Sequence, residues 1–145
     1  MVCLGNICRS PLAEGILQSK VHPDKVKVDS AGTAAYHVGE LPDTRSIEVA
    51  RKYGIDITNQ RARKFSVNDF DVFDLIYAMD ESNYQNMLAL ARNSEDASKV
   101  KMILNETNPG SNNSVPDPYY GGVDGFENVY SMLDEACEKI ADKVQ

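Results

Sequence analysis

The segment Cys3-Leu4-Gly5-Asn6-Ile7-Cys8-Arg9-Ser10-Pro11 fixes a strand, a tight loop and a helix in that order. Gly5 and Asn6 are the residue types best able to take positive φ, so the chain can curl until consecutive N–H groups point inward. Ser10 can cap a helix, with its hydroxyl also able to donate to the Cys3 sulfur, and Pro11 suits a first helical position, where no N–H is needed. Leu12, Ala13, Ile16 and Leu17 then recur at helical spacing. Cys3 is thereby expected at a strand-to-helix junction, the place where open α/β sheets bind their ligands.

The loop carries a thiol at one end and a guanidinium at the other. A thiolate is a strong nucleophile, provided its pKa falls well below the roughly 8.5 of a free cysteine. Amides at a helix N-terminus and in the preceding concave loop favour an anion there, whether thiolate or phosphate. Arg9 adds a fixed positive fork able to hold two phosphate oxygens. Five residues between a Cys and an Arg is weak evidence by itself. The alternative, Cys3 as a buried strand-end thiol and Arg9 as a solvated helix residue, leaves the Gly-Asn loop and the Ser-Pro helix start unexplained. A zinc site at Cys3 and Cys8 needs two more ligands, and His22 and His37 offer no convincing pair.

The 145 residues suit one domain, 1–145, with a core that requires no metal or disulfide. Twenty-two acidic against 15 basic residues give a net charge of −7, which disfavours nonspecific binding to nucleic acid. No run approaches the roughly 18 apolar residues of a membrane span, and no basic leader precedes an apolar stretch. A soluble, cytoplasmic protein is expected, with three cysteines kept reduced.

Lys25-Val26-Lys27-Val28-Asp29 alternates and reads as a strand leading into Ser30-Ala31-Gly32. A helix is expected over 44–53, preceded by Pro42-Asp43 and stopped by Gly54. Ser66 and Asp69 have capping-box spacing for a short turn, and Ser82 and Gln85 have it for a helix through about Ala91. Asp74 to Met79 and Lys99 to Leu104 read as buried strands. A loop over 108–114 follows, and Phe126, Val129, Tyr130, Leu133, Cys137, Ile140 and Val144 mark the face of a final helix. Strands alternating with helices imply a parallel sheet covered on both faces.

A second motif, Val115-Pro116-Asp117-Pro118-Tyr119-Tyr120-Gly121-Gly122, restricts the backbone around Asp117. A phosphate ester cleaved by a thiolate has a leaving oxygen that needs a proton, and a carboxyl group within reach could supply it and later take one from water. Read alone, the motif is better explained as a turn, and it is the nucleophile loop that makes it the natural source of the acid.

Taken together these stretches, with Val28-Asp29-Ser30-Ala31-Gly32-Thr33 and Met79-Asp80-Glu81-Ser82-Asn83, resemble the low-molecular-weight protein-tyrosine phosphatases in order and over nearly the whole length. The resemblance implies a three-layer αβα sandwich, Rossmann-like, with a four-stranded parallel sheet, and catalysis without a metal or other cofactor. It implies Cys3 as nucleophile through a phosphocysteine, Arg9 as phosphate ligand and transition-state stabiliser, and Asp117 as general acid and then base. Backbone amides of Leu4, Gly5, Asn6, Ile7, Cys8 and Arg9 would hold the oxyanion. Asn6 and Ser30 match positions that keep the loop in shape, and Ser10 one that stabilises the thiolate. Tyr36, Tyr119 and Tyr120 match aromatic walls at the cleft mouth, where rings could sandwich a phenyl ring. Cys8 resembles the family's second loop cysteine, able to pair reversibly with Cys3 under oxidation. Cys137, on the apolar helix face, is expected in the core. The implied partners are a phosphotyrosine protein substrate and, in the loop, inorganic phosphate or oxyanion inhibitors, for a monomer or weak dimer.

The chain departs from the pattern in having only Met1 and Val2 before Cys3, where relatives have several apolar residues; a truncated or unusually short first strand is expected. Gln60 stands where some relatives have histidine. Arsenate reduction would need a relay cysteine nearer than Cys137. Arginine phosphatases tend to carry threonine where Ile7 stands, and the bulkier side chain favours phosphotyrosine. A noncatalytic phosphotyrosine-binding module would have no need of both Cys3 and Asp117.

Overall fold

The computed structural model describes residues 1–120 and 124–145, the side chain of Tyr120 excepted. Four parallel strands form one sheet in the order β2-β1-β3-β4. They are β1 (Val2–Cys3), β2 (Ala31–Gly32), β3 (Ile76–Ala78) and β4 (Val100–Met102). The helices are α1 (Arg9–Lys20), α2 (Thr44–Lys52), α3 (Asp69–Val72), α4 (Glu81–Leu88), α5 (Ser94–Lys99) and α6 (Gly125–Val144).

Strand alternation divides the interior into two cores. Cys3 and Tyr77 face one side, where Leu12, Ile16, Val49, Leu133 and Ile140 cover the sheet from α1, α2 and α6. Val2, Ile76, Ala78, Val100 and Met102 face the other, under Phe70 of α3 and Met87 of α4. The outcome is the expected α/β layering, with the period of two set by the strand pleat.

Several expectations shift in detail. The alternating run Lys25 to Asp29 is not a strand: the ladder is confined to Ala31 and Gly32, in register with Val2 and Cys3. Val26 and Val28 still pack on the first core, so their alternation reports burial rather than pairing. Ile76 to Ala78 and Val100 to Met102 are shorter than the apolar runs that flagged them, and Ile103 to Asn105 turn into a 3-10 helix. Helix α4 starts at Glu81, not after Ser82, because Asp80 accepts from the Asn83 amide at 2.8 Å and takes the capping role. Helix α5 went unread; Asn93 caps it by accepting from Asp96 N at 2.8 Å. Helix α2 begins behind Asp43, with Tyr53 as its C-terminal cap and Gly54 at φ +80° just beyond. In the short turn, Asp69 accepts from Ser66 N at 2.9 Å as the spacing implied.

Helix α1 also begins earlier than expected, at Arg9 with Cys8 as cap. Ser10 is therefore inside the first turn and caps nothing, and Pro11 is the third helical residue. Proline is still tolerated there, since the first four amides of a helix have no intrahelical acceptor.

Candidate active site

The loop from Leu4 to Cys8 joins β1 to α1 at the carboxyl ends of the strands. Its carbonyls are drawn outward: Leu4 O accepts from Ala34 N (3.0 Å), Ile7 O from Asp43 N (2.7 Å), and Cys8 O from Ser46 Oγ (3.2 Å). Adjacent amides are thereby turned towards the concave side. Asn6 alone in the loop adopts the left-handed conformation, φ 58°; Gly5 does not. Gly5 serves close approach instead, since a Cβ there would sit 2.9 Å from His37 Cδ2. That contact also lays the 36–39 turn, with Tyr36, against the loop.

Gly32 is the tightest point beneath it. An added Cβ would meet Leu4 O at 2.7 Å and both Asn6 N and Gly5 C at 3.1 Å, so β2 can support the loop only with glycine at that position.

A buried polar network fixes Asn6 and reaches the thiol. Arg63 N donates to Asn6 Oδ1 at 3.0 Å, and Asn6 Nδ2 donates to Ser10 Oγ at 2.7 Å and Ser30 Oγ at 3.0 Å. The Arg63 amide must face an oxygen, which fixes the side-chain orientation of Asn6. Ser30 in turn donates to Glu14 Oε1 at 2.7 Å. Ser10 Oγ lies 3.0 Å from Cys3 Sγ. Ser10 Oγ accepts from Asn6, and its proton can go to Cys3 Sγ at 3.0 Å or to Ala31 O at 3.5 Å; the shorter contact is the one that a thiolate would take. Burial pushes the Glu14 carboxyl up from the ordinary range, against the Ser30 hydrogen bond.

Arg9 is nearly buried. Its Nη1 donates to Asp80 Oδ2 at 2.8 Å and to Val115 O at 2.9 Å. Val115 N donates to Met79 O at 2.7 Å, so the segment preceding the Asp117 turn is held by Arg9 on one side and by the residue that follows β3 on the other. Asp117 is exposed, and its Oδ1 accepts from Tyr119 N at 3.0 Å. The Asp80 contact was missed in the sequence, where Asp80 stood in a matching motif without a role. Its Asp-x-x-Asn cap spacing was the available signal.

The rings are placed unequally. Tyr119 packs edge-on to Phe126 and under the Arg45 guanidinium, 4.4 Å from its centroid, and its hydroxyl donates to Asp43 Oδ2 at 2.6 Å. Tyr36 is 76% exposed. The ring of Tyr120, and Gly121-Gly122, lie outside the described residues. Leu4 is 47% exposed at the loop. Cys3, Cys8 and Cys137 are free and buried, Cys137 in the first core as expected. Desolvation pushes the Cys8 thiol up to about 11, with the Tyr119 hydroxyl opposing and the charges of Asp43, Cys3 and Asp117 adding. Gln60 Nε2 donates to Pro11 O at 3.0 Å, while its Oε1 is buried without a partner among the described residues. Among those residues no three His, Cys, Asp or Glu side chains converge as a metal ion would need. No helix among them is long and apolar enough to cross a membrane.

A family model described as low molecular weight phosphotyrosine protein phosphatase matches residues 1–145. The chain belongs to that family. A Schizosaccharomyces pombe low molecular weight phosphotyrosine protein phosphatase is 45% identical over 137 residues, 91% of this chain and 86% of its own. The solved Vibrio vulnificus Wzb, in complex with benzylphosphonate, superposes with TM-score 0.86 and 30% identity, over 98% of this chain and 94% of that one. A solved Drosophila arginine phosphatase superposes with TM-score 0.87 and 32% identity, over 98% and 94%. The family is the one the sequence motifs resembled, and the expectation of a phosphatase of the low molecular weight class is met at that level.

Proposed function

We propose that this chain, as a single domain over residues 1–145, hydrolyses phosphotyrosine in proteins, and other aryl phosphates, in two displacements on Cys3. The Cys3 thiolate attacks phosphorus while Asp117 gives its proton to the departing phenolate oxygen, leaving a phosphocysteine. Water then attacks the phosphorus, Asp117 takes the proton, and phosphate leaves with the thiolate restored. Arg9 and the amides from Leu4 to Arg9 neutralise the oxygens throughout, as preorganised donors that cost no reorganisation. Tyr36, Tyr119 and Tyr120 flank the aryl ring. Inorganic phosphate and other oxyanions would compete for the same cradle.

The observation that carries this reading is the Ser10 hydroxyl 3.0 Å from Cys3 Sγ, in a loop whose Leu4, Ile7 and Cys8 carbonyls are tied outward. It supplies a donor for a sulfur anion and amides for a phosphate in one place. The free, buried pair Cys3 and Cys8 supports reversible oxidation of the nucleophile: a Cys3 sulfenic acid formed by a peroxide would lose water to the Cys8 thiol. Reduced thiols and the acidic surface suit a cytoplasmic monomer or weak dimer.

The test is turnover of phosphotyrosine, phosphoarginine and arsenate by the wild-type protein and Cys3→Ser. Phosphotyrosine hydrolysis abolished in the variant is expected. Equal turnover by Cys3→Ser overturns the mechanism, and preferential turnover of phosphoarginine overturns the substrate assignment drawn from Ile7.

A further inference from the structure

Asp43 touches three parts of the site from the N-cap of α2. Its amide donates to Ile7 O in the nucleophile loop at 2.7 Å. Its Oδ1 accepts from Arg45 N at 2.9 Å and Arg45 Nε at 3.2 Å, capping the helix. Its Oδ2 accepts from the Tyr119 hydroxyl at 2.6 Å. Tyr119 is two residues from Asp117 and donates its own amide to Asp117 Oδ1 at 3.0 Å. One residue thus connects the loop that carries the nucleophile to the turn that carries the acid.

The contacts are built to hold. Asp43 is 14% exposed at its side chain, and the Tyr119 ring is fixed between Arg45, 4.4 Å from its centroid, and Phe126. The Arg45 guanidinium lies 4.9 Å from the Phe126 ring as well, so Arg45 bridges the cap and the aromatic pair. Gly125, at the start of α6, lets Pro118 O approach to where a Cβ would be 2.6 Å away, which seats the turn against the helix. A charge-assisted O–H···O bond of this length is among the stronger neutral-to-charged hydrogen bonds.

We propose that Asp43 is a positioning residue for general acid catalysis: through the Tyr119 hydroxyl it sets where the Asp117 carboxyl lies over the nucleophile loop. It touches no reacting atom. The inference rests on the assignment of Asp117 as the acid, and the experiment separates the two.

The rate constant kcat/KM is measured for a series of aryl phosphates running from a dinitrophenyl ester, whose leaving group needs no proton, to phenyl phosphate and phosphotyrosine, whose leaving groups do. Asp117→Asn steepens the dependence on leaving-group basicity if Asp117 is the acid. Tyr119→Phe keeps the ring and its stacking but loses the hydroxyl. Asp43→Ser keeps an N-cap acceptor but cannot reach Tyr119. Each is expected to steepen the same dependence, lowering kcat/KM for phosphotyrosine about tenfold more than for the dinitrophenyl ester, within the range a misplaced catalytic group costs. The double variant should be no worse than either single one, since both remove the same contact. A wild-type slope in Tyr119→Phe overturns the inference, as do losses that add in the double variant. Should Asp43→Ser fail to fold, Tyr119→Phe breaks the same bond from the other side. A wild-type dependence in Asp117→Asn overturns the acid assignment itself, and the tether falls with it.

Discussion

Arg9 Nη1 lies 2.8 Å from Asp80 Oδ2, an ion pair between the first turn of α1 and the N-cap of α4. The pair fixes the plane of a guanidinium whose Nη1 is fully used, with Val115 O as its second acceptor. Its remaining N–H groups make no hydrogen bond among the described residues. A planar fork held at one corner can present its other edge to a phosphate without losing side-chain entropy on binding. Asp80 thus connects packing to the proposed function: it neutralises a nearly buried cation and orients it for an anion.

Asp80→Asn tests this without disturbing the helix, because asparagine caps as well as aspartate. The loss of orientation should lower kcat/KM for aryl phosphates by about 10- to 100-fold, and competitive inhibition by phosphate should weaken in parallel. Steady-state kinetics with p-nitrophenyl phosphate measure both. An unchanged inhibition constant would show that Arg9 needs no such support. Asp80→Ala should cost the protein about 1 kcal/mol more for the lost cap, read by urea unfolding.

How far the sequence was legible follows from the range of each contact. The nucleophile loop and α6 could be read because their causes are local: residues suited to positive φ in one, a repeat of 3.6 in the other. The position of β2 could not, since the alternation at Lys25 to Asp29 is the same whether or not a neighbouring strand pairs with it, and the ladder falls on Ala31 and Gly32. Helix α4 was misplaced by two competing caps, Ser82 and Asp80, which differ only in which one the fold lets reach an amide. The proposed acid and nucleophile, and the loop supports Asn6, Ser10 and Ser30, stand in motifs that the sequence displays, but the contacts of Asp80 and Asp43 do not. Asp80 is 71 residues from Arg9, and Asp43 is 76 from Tyr119; no spacing rule spans such distances.

Gly32→Ala should damage the site through packing alone. Its methyl would stand 2.7 Å from a backbone oxygen of the nucleophile loop, and backbone has less room to yield than a side-chain tip. Overpacking of this kind costs about 1–3 kcal/mol, and the loop, being the thinner partner, is what must shift. Thermal melts should show the lost stability and phosphatase assays a larger fractional loss of turnover. Full activity with a lower melting temperature would mean that the strain is relieved elsewhere.

Cys8 should be a poor nucleophile at neutral pH, because burial pushes its thiol up to about 11. In a Cys3→Ser variant, iodoacetamide labelling followed by mass spectrometry should find Cys8 nearly unmodified at pH 7, with the rate rising about tenfold per pH unit towards that value as the thiolate fraction grows. Labelling that levels off below pH 9 would show a stabilised Cys8 thiolate and would make Cys8 a competitor of Cys3 rather than its resolving partner.

Glu14 gives the stability of the site a pH dependence of the opposite sense to that of most carboxylates. Desolvation raises its folded pKa, opposed by the Ser30 hydrogen bond, with Asp29 adding to the rise and the Met1 ammonium and Arg63 opposing it. The unfolded value is about 4.3. A group raised in the fold binds more protons folded than unfolded, so its stabilising contribution is complete below that unfolded value and is lost as pH climbs through the folded one. Glu14→Gln keeps an oxygen to accept from Ser30 Oγ and removes the charge. The stability of the variant relative to wild type should therefore increase from about pH 4 to pH 7, measured as the difference in urea unfolding free energy at each pH, where all other titrating groups cancel. A difference that falls over that range would mean that Glu14 is held as a carboxylate, with the Ser30 hydrogen bond and the charges of Arg63 and the Met1 ammonium outweighing its burial. The chain from Glu14 through Ser30, Asn6 and Ser10 to Cys3 would then carry a fixed negative charge at its far end.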